Sequence, residues 1–223
     1  MTRQKCVLFD LDGTLVDSLA DLADSMNRVL IRQGLPSHPV QAYRYFVGDG
    51  ITRLVQRALP AENQQDEMVQ DCVTKMRQEY ALHWADTTRP YPGIAQLLDA
   101  LTTRGIQMAI LSNKAEELTQ EVVRTLLPDW HFAAVAGARA TIAKKPDPTG
   151  ALRIANLLDR EPTDFLYVGD TNTDMQTARA AQMFAIGALW GFRTADELKK
   201  NGAQALLSAP MELCSLLDPI QSS

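Results

Sequence analysis

The chain has 223 residues, enough to bury a sizeable core in one large domain or two small ones. A hydrophobic share of 46% and a charged share of 22% are those of an ordinary soluble protein. The net charge of −5 argues against nucleic acid as a partner, because phosphate backbones are held by clustered Lys and Arg, but leaves room for a small anionic substrate. Cys6, Cys72 and Cys214 are too scattered for a disulfide framework or a CxxC metal site and read as buried or partly buried thiols. No run approaches the ~20 apolar residues of a membrane span. The N-terminus lacks the apolar core and cleavage site of a signal peptide. A cytoplasmic protein with no membrane partner is expected.

In chain order, "CVLFD" (Cys6 to Asp10) is the first element: short, continuously apolar, and stopped by "DLDGT". Apolarity without alternation suits a strand buried on both faces of a parallel sheet. From about Val16 to Trp84 the pattern is helix after helix, with Ser18 a candidate N-cap for the first. Strand-like runs return at "IQMAILSN" (Ile106 to Asn113), "FAAVAG" (Phe132 to Gly137), "DFLYVGD" (Asp164 to Asp170) and "QMFAIGAL" (Gln182 to Leu189). Helical patterns such as "IAQLLDALTTRG", "KAEELTQEVVRTLL", "PTGALRIANLLD" and "TDMQTARAAQ" separate them, and two shorter ones follow. This alternation predicts an α/β fold: a doubly wound parallel-sheet, Rossmann-like core over residues 1–15 and 85–223, with a small helical cap inserted over 16–84.

The residues with chemical potential fall at strand ends, where open α/β sheets place ligands. Asp10 and Asp12 stand two apart, so in extended chain their carboxylates share one side. Two acids held together call for a cation or a proton, and one can act as nucleophile or metal ligand while the other moves protons. Alone, "DLDGT" also fits a plain turn with Gly13 at positive φ. Ser112 and Asn113 end the next strand, with Lys114 opening a helix; hydroxyl, amide and helix-start N–H groups can cradle a phosphate. Lys144 and Lys145 precede Pro146, and Asp170 and Asp174 flank a strand-to-helix turn, the first placed as a metal ligand.

In this order the residues resemble the four motifs of the haloacid dehalogenase superfamily of phosphatases, carried by "DLDGT", Ser112, Lys145 in "KKPDP" and "GDTNTD". The resemblance implies roles. Asp10 is the nucleophile, Asp12 the acid and base, and Thr14 fixes the geometry of Asp12. Mg²⁺ sits on Asp10, the main-chain carbonyl of Asp12 and Asp170, with Asp174 supporting that shell. Ser112, Asn113 and Lys145 bind the phosphoryl group. Dehalogenating and phosphonate-cleaving relatives lack the second acid, and sugar-phosphate mutases carry a cap histidine where this chain has Ala20, Asp21 and Leu22.

The cap stretch "YFVGDGITRLV" looks like the cap loop of the phosphoglycolate phosphatase branch. There Gly48, Asp49 and Gly50 turn into a helix start, whose N–H groups together with Arg53 could receive a substrate carboxylate. A plain helix–helix turn fits the same residues. The expected reaction is hydrolysis of a small phosphorylated metabolite, with 2-phosphoglycolate first. Pyrophosphate, sugar phosphates and nucleotides are alternatives within the superfamily, and a phospho-accepting receiver or binding protein is the non-enzyme alternative. The expected assembly is a monomer or homodimer. His38, His83, His131 and the three tryptophans read as surface or packing residues.

Overall fold

The apolar strands at the sequence level become the centre of a six-stranded sheet. The computed structural model describes residues 5–217; residues 1–4 and 218–223, the two ends of the expected core, lie outside the described residues. In chain order the elements begin with β1 (Cys6–Phe9), β2 (Val16–Asp17), α1 (Leu19–Arg32), α2 (Tyr43–Phe46), α3 (Ile51–Ala58) and α4 (Asp66–His83). There follow β3 (Arg89–Pro90), α5 (Ile94–Thr103), β4 (Gln107–Ala115), α6 (Glu116–Leu126), β5 (Ala134–Ala138) and α7 (Thr149–Leu157). The last are β6 (Phe165–Gly169), α8 (Asn172–Ala180), β7 (Phe184–Ala188), α9 (Ala195–Lys200), β8 (Ala205–Leu207) and α10 (Leu213–Leu217).

The large sheet has the order β5-β4-β1-β6-β7-β8, with every neighbouring pair parallel. Alternate residues of each strand enter different cores. Val7, Phe9, Ile110 and Val168 join one cluster; Leu8, Leu111, Phe165 and Tyr167 join the other, with α7 and α8 residues such as Ile154 and Met175. Both faces are therefore dry, which is why these strands read as unbroken apolar runs. The chain leaves β1 for β4 on one side and later comes back to β6 on the other. That reversal opens a crevice beyond the carboxyl ends of β1, β4 and β6.

Helices α1 to α4 lie between β1 and β3 in the chain. Where the chain leaves and re-enters the core, β2 and β3 pair antiparallel, Val16 with Pro90 and Asp17 with Arg89. The sequence pattern did not show this ribbon, because two-residue strands have no periodicity. Next to it, buried Asp21 of α1 accepts hydrogen bonds from the N–H and hydroxyl groups of Thr87 and Thr88, at 2.6–3.0 Å. Strand β8 was likewise not expected, and β4 runs two residues past its expected end at Asn113, to Ala115.

Candidate active site

Asp10 follows β1 and Asp170 follows β6, two adjacent parallel strands in register Phe9 to Val168. The acids therefore come side by side at one edge. Asp174 reaches the same place from the first turn of α8, where it forms a reciprocal cap with Thr171. Candidate ligand oxygens of Asp10, Asp170 and Asp174 all lie within 4.8 Å of one another, and all three residues are buried.

One cation sits among them. Lys145 is 6% exposed, and its Nζ lies 2.8 Å from Asp10 Oδ1 and 2.7 Å from Asp174 Oδ1. Burial works against the charge of Lys145, yet the two carboxylates outweigh it and hold the ammonium well above its ordinary value. Three acids against one lysine leave an excess of negative charge. Burial, then repulsion from Asp174, pushes Asp10 up to about 7 despite Lys145. Burial, Asp10 and Asp174 push Asp170 well above the carboxylate range. A buried set of hard oxygen donors with uncompensated charge fits a divalent cation.

Backbone shape lets the acids approach. Gly13 has φ +91°, and a Cβ there would stand 2.4 Å from Asp170 Oδ2. A Cβ on Gly191 would stand 2.3 Å from Asp170 Cβ. Asp170 then accepts from Thr14 Oγ1 at 2.9 Å and from the N–H of Phe192 at 2.8 Å.

Several expected partners are exchanged. Thr14, expected to fix Asp12, binds Asp170 instead, because the turn after β1 folds back through Gly13 N–H to Val16 O at 2.8 Å and carries Thr14 toward β6. Ser18, expected as a helix cap, makes no side-chain cap; its hydroxyl donates to Asp12 Oδ1 at 2.7 Å. Asn113, expected to bind phosphoryl oxygens, spends its amide elsewhere. Its Nδ2 donates to the carbonyls of Gly48 and Lys145, both at 3.1 Å, and its Oδ1 accepts from the N–H of Lys145 at 2.9 Å. Asn113 thus positions the backbone that carries Lys145. Ser112 is buried and faces the cavity, and Lys114 N–H donates to its Oγ at 3.2 Å.

Lys114 is a site residue that the sequence reading missed. Placed at a helix start there, it is in fact still on β4, two residues from Ser112. Its buried Nζ lies 2.6 Å from Asp12 Oδ1 and 2.9 Å from the hydroxyl of Tyr80 on α4. Burial opposes its charge, but Asp12 and then Tyr80 raise it above the lysine range.

Above these residues lies a cavity of about 740 Å³. Asp10, Asp12, Ser112 and Lys114 form part of its floor, and Leu22, Ile51, Leu54, Tyr80 and Trp84 part of its helical wall. Gly48 and Gly50 also line it, with φ +110° and +85°, and Gly50 is the residue before α3. Asp49 turns away from the cavity. Its Oδ1 accepts from Thr173 at 2.7 Å, and its Oδ2 pairs with Arg57 at 2.5 Å. Arg53 is not among the lining residues. Ile51 and Leu54 share one helical face, and Arg53 lies off it, exposed, donating to Gln56 at 2.9 Å. None of the three histidines lines the cavity.

Comparison with known proteins agrees with this geometry. The sequence profile of the haloacid dehalogenase-like hydrolase family matches residues 7–188. The chain is 32% identical to the phosphoglycolate phosphatase of Aquifex aeolicus, over 96% of this chain and 97% of that one. It is 33% identical to the phosphoglycolate phosphatase of Chromobacterium violaceum, over 96% of each. A crystal structure from Lactobacillus delbrueckii subsp. bulgaricus, provisionally assigned the same activity, superposes with a TM-score of 0.90 at 27% identity, covering 97% of this chain and 99% of that one. No helix of the described residues is long and apolar enough to cross a membrane. With the profile covering most of its length and such relatives covering nearly all of it, the chain belongs to the haloacid dehalogenase-like hydrolases, as a phosphoric monoester hydrolase resembling the phosphoglycolate phosphatases.

Proposed function

We propose that this enzyme hydrolyses 2-phosphoglycolate through an aspartyl-phosphate on Asp10, with Mg²⁺ as its cation. The observation that carries the reading is the 2.8 Å contact of Asp10 with Lys145 beside Asp170 and Asp174. A carboxylate so placed is oriented as a nucleophile by Lys145, and a bound cation would complete its charge balance. Its oxygen attacks phosphorus as the bond to the ester oxygen breaks. Asp12, aimed at the cavity by Ser18 and Lys114, gives its proton to the leaving alkoxide. Water then attacks the phosphorus of the acyl phosphate, Asp12 takes the proton, and inorganic phosphate leaves. Ser112 and Lys145 hold the phosphoryl oxygens through this exchange. Asp10, Asp170 and the main-chain carbonyl of Asp12 would hold Mg²⁺, whose charge offsets that on the phosphoryl group. Residues 16–84 serve as the cap, with Leu22, Leu54, Tyr80 and Trp84 excluding water from the reacting bond. The buried thiols of Cys6, Cys72 and Cys214 fit a reducing cytoplasm.

The substrate assignment rests on the relatives' names and on buried Lys114, a cation on the cavity floor. Its volume of about 740 Å³ would also admit a sugar phosphate, which is the second reading. Phosphate release from 2-phosphoglycolate, glucose 6-phosphate and pyrophosphate, with Mg²⁺ and with chelator, separates the two. Preference for the sugar ester would replace the substrate. Acid-quenched enzyme should carry phosphoryl on the peptide containing Asp10; turnover with that peptide unlabelled during steady state would sink the covalent path.

A further inference from the structure

We propose that Lys114 and Tyr80 together form the seat for the second oxyanion of the substrate, its carboxylate, so that core and cap read the substrate jointly. The inference rests on the substrate reading above and adds the residues that enforce it.

A lysine ammonium has three N–H donors. Lys114 uses one on Asp12 and one on Tyr80, and among the described residues the third has no partner, while the side chain lines the cavity. The Tyr80 hydroxyl accepts from Lys114 and, among the described residues, donates to nothing; it too lines the cavity. Two donors thus converge from opposite sides, one from β4 and one from α4. That Lys114 already pairs with Asp12 is no obstacle. In the same site Lys145 bridges two carboxylates at 2.8 and 2.7 Å.

The other cations of the cavity serve less well. Arg77 and Lys144 are exposed, where water and salt screen them, and Arg139 is exposed and engaged by Glu116 at 2.7 Å. Arg53 does not reach the cavity wall. Lys114, by contrast, is 5% exposed at the side chain, so its charge acts in a medium of low polarity. Its place on β4 also sets a length. Ser112 and Lys114 are two residues apart on the irregular end of β4, at most roughly 7 Å, so a seat at Lys114 suits an anion joined to the phosphate by a very short linker.

The test compares kcat/KM for 2-phosphoglycolate and for ethyl phosphate, which has the same two carbons and no carboxylate, using the full chain with Mg²⁺. The wild-type enzyme should favour phosphoglycolate. In Tyr80→Phe and in Lys114→Met the ratio of the two values should fall about tenfold, mostly through KM for phosphoglycolate. Tyr80→Phe removes one oxygen and keeps the packed ring, so it decides the matter should Lys114→Met fail to fold. A wild-type preference for phosphoglycolate whose ratio neither variant moves would overturn this inference alone. A wild-type preference for ethyl phosphate would overturn both the inference and the substrate reading.

Discussion

Arg193 donates a hydrogen bond to the carbonyl of Arg44, and the two arginines donate in opposite directions across the boundary between the helical insert and the sheet. Arg44 donates to the carbonyls of Gly191 and Phe192 at 2.6 and 3.0 Å, while buried Arg193 donates to the carbonyl of Arg44 and to that of Val47 at 3.1 Å. Phe192 N–H in turn holds Asp170, so the helical insert and the acid cluster share one peptide segment. Arg193→Ala leaves two carbonyls without their donor. Its cost should be about 2–4 kcal/mol, an apparent melting temperature lower by roughly 5–12 °C, with kcat/KM reduced as the cap loosens. Arg193→Lys should not restore the wild-type value, because an ammonium lacks the guanidinium fork that reaches both carbonyls. Thermal unfolding of both variants checks this; full recovery in the lysine variant would remove the latch.

Asp10 is predicted to trade stability for chemistry. Without a cation, three buried acids face one lysine. Asp10→Asn removes one negative charge at nearly constant volume, so the metal-free variant should melt no lower than the metal-free wild type. Its turnover should fall by about three or more orders of magnitude. Mg²⁺ should raise the wild-type melting temperature, stabilising the fold by about 2.7 kcal/mol at a hundredfold excess over its dissociation constant, and raise that of the variant less. A variant that keeps turnover would exclude Asp10 as nucleophile.

Asp21 should make the anchor at the base of the helical insert sensitive to acid. Burial alone would raise its carboxyl, but the hydroxyl and N–H groups of Thr87 and Thr88 hold it below the ordinary value. Folding therefore favours the ionised form. The resulting stability is fully present above the unfolded-state value of about 3.9 and is lost as pH falls through the lower folded-state value. Between about pH 5 and pH 2, wild-type stability should drop more steeply than that of Asp21→Asn. At pH 7, Asp21→Ala should cost about 3 kcal/mol. Parallel pH profiles for wild type and Asp21→Asn would show that this carboxylate contributes nothing to acid sensitivity.

Arg53→Ala should leave kcat/KM for 2-phosphoglycolate within about twofold, since the side chain is exposed and bonded to its own helix. A tenfold loss would mean that Arg53 swings into the cavity during turnover. This reverses the expectation from the "VGDGITR" stretch. A helix start and a nearby arginine are visible in sequence, but which helical face meets the cavity is decided by the packing of α3 against its neighbours.

The same contrast runs through the site. Asp10, Asp170 and Asp174 were legible because each stands where an apolar strand stops or the following helix starts, and parallel strands bring their carboxyl ends together. Lys145 was legible only through its motif; its spacing in a loop says nothing of the two carboxylates it bridges. Lys114 was hidden by a boundary shift: two more residues of extended chain turn a helix-start lysine into a neighbour of Ser112. Tyr80 carried no signal at all. It looks like any buried position on an amphipathic helix, and only the folding of the insert over the sheet brings its hydroxyl to Lys114. The exchanges at Thr14, Ser18 and Asn113 have a similar origin, because each polar side chain had several partners within reach and the tertiary fold chose one.

The bare backbone around Asp170 has a consequence for heredity. Gly13 and Gly191 perform no chemistry, yet any side chain at either place would occupy space already held by Asp170 atoms 2.3–2.4 Å away. In a library of random single substitutions, these two codons should be as empty of survivors as that of Asp10. The gene is therefore constrained at positions where nothing is bound or transferred, simply because an acid needs the room.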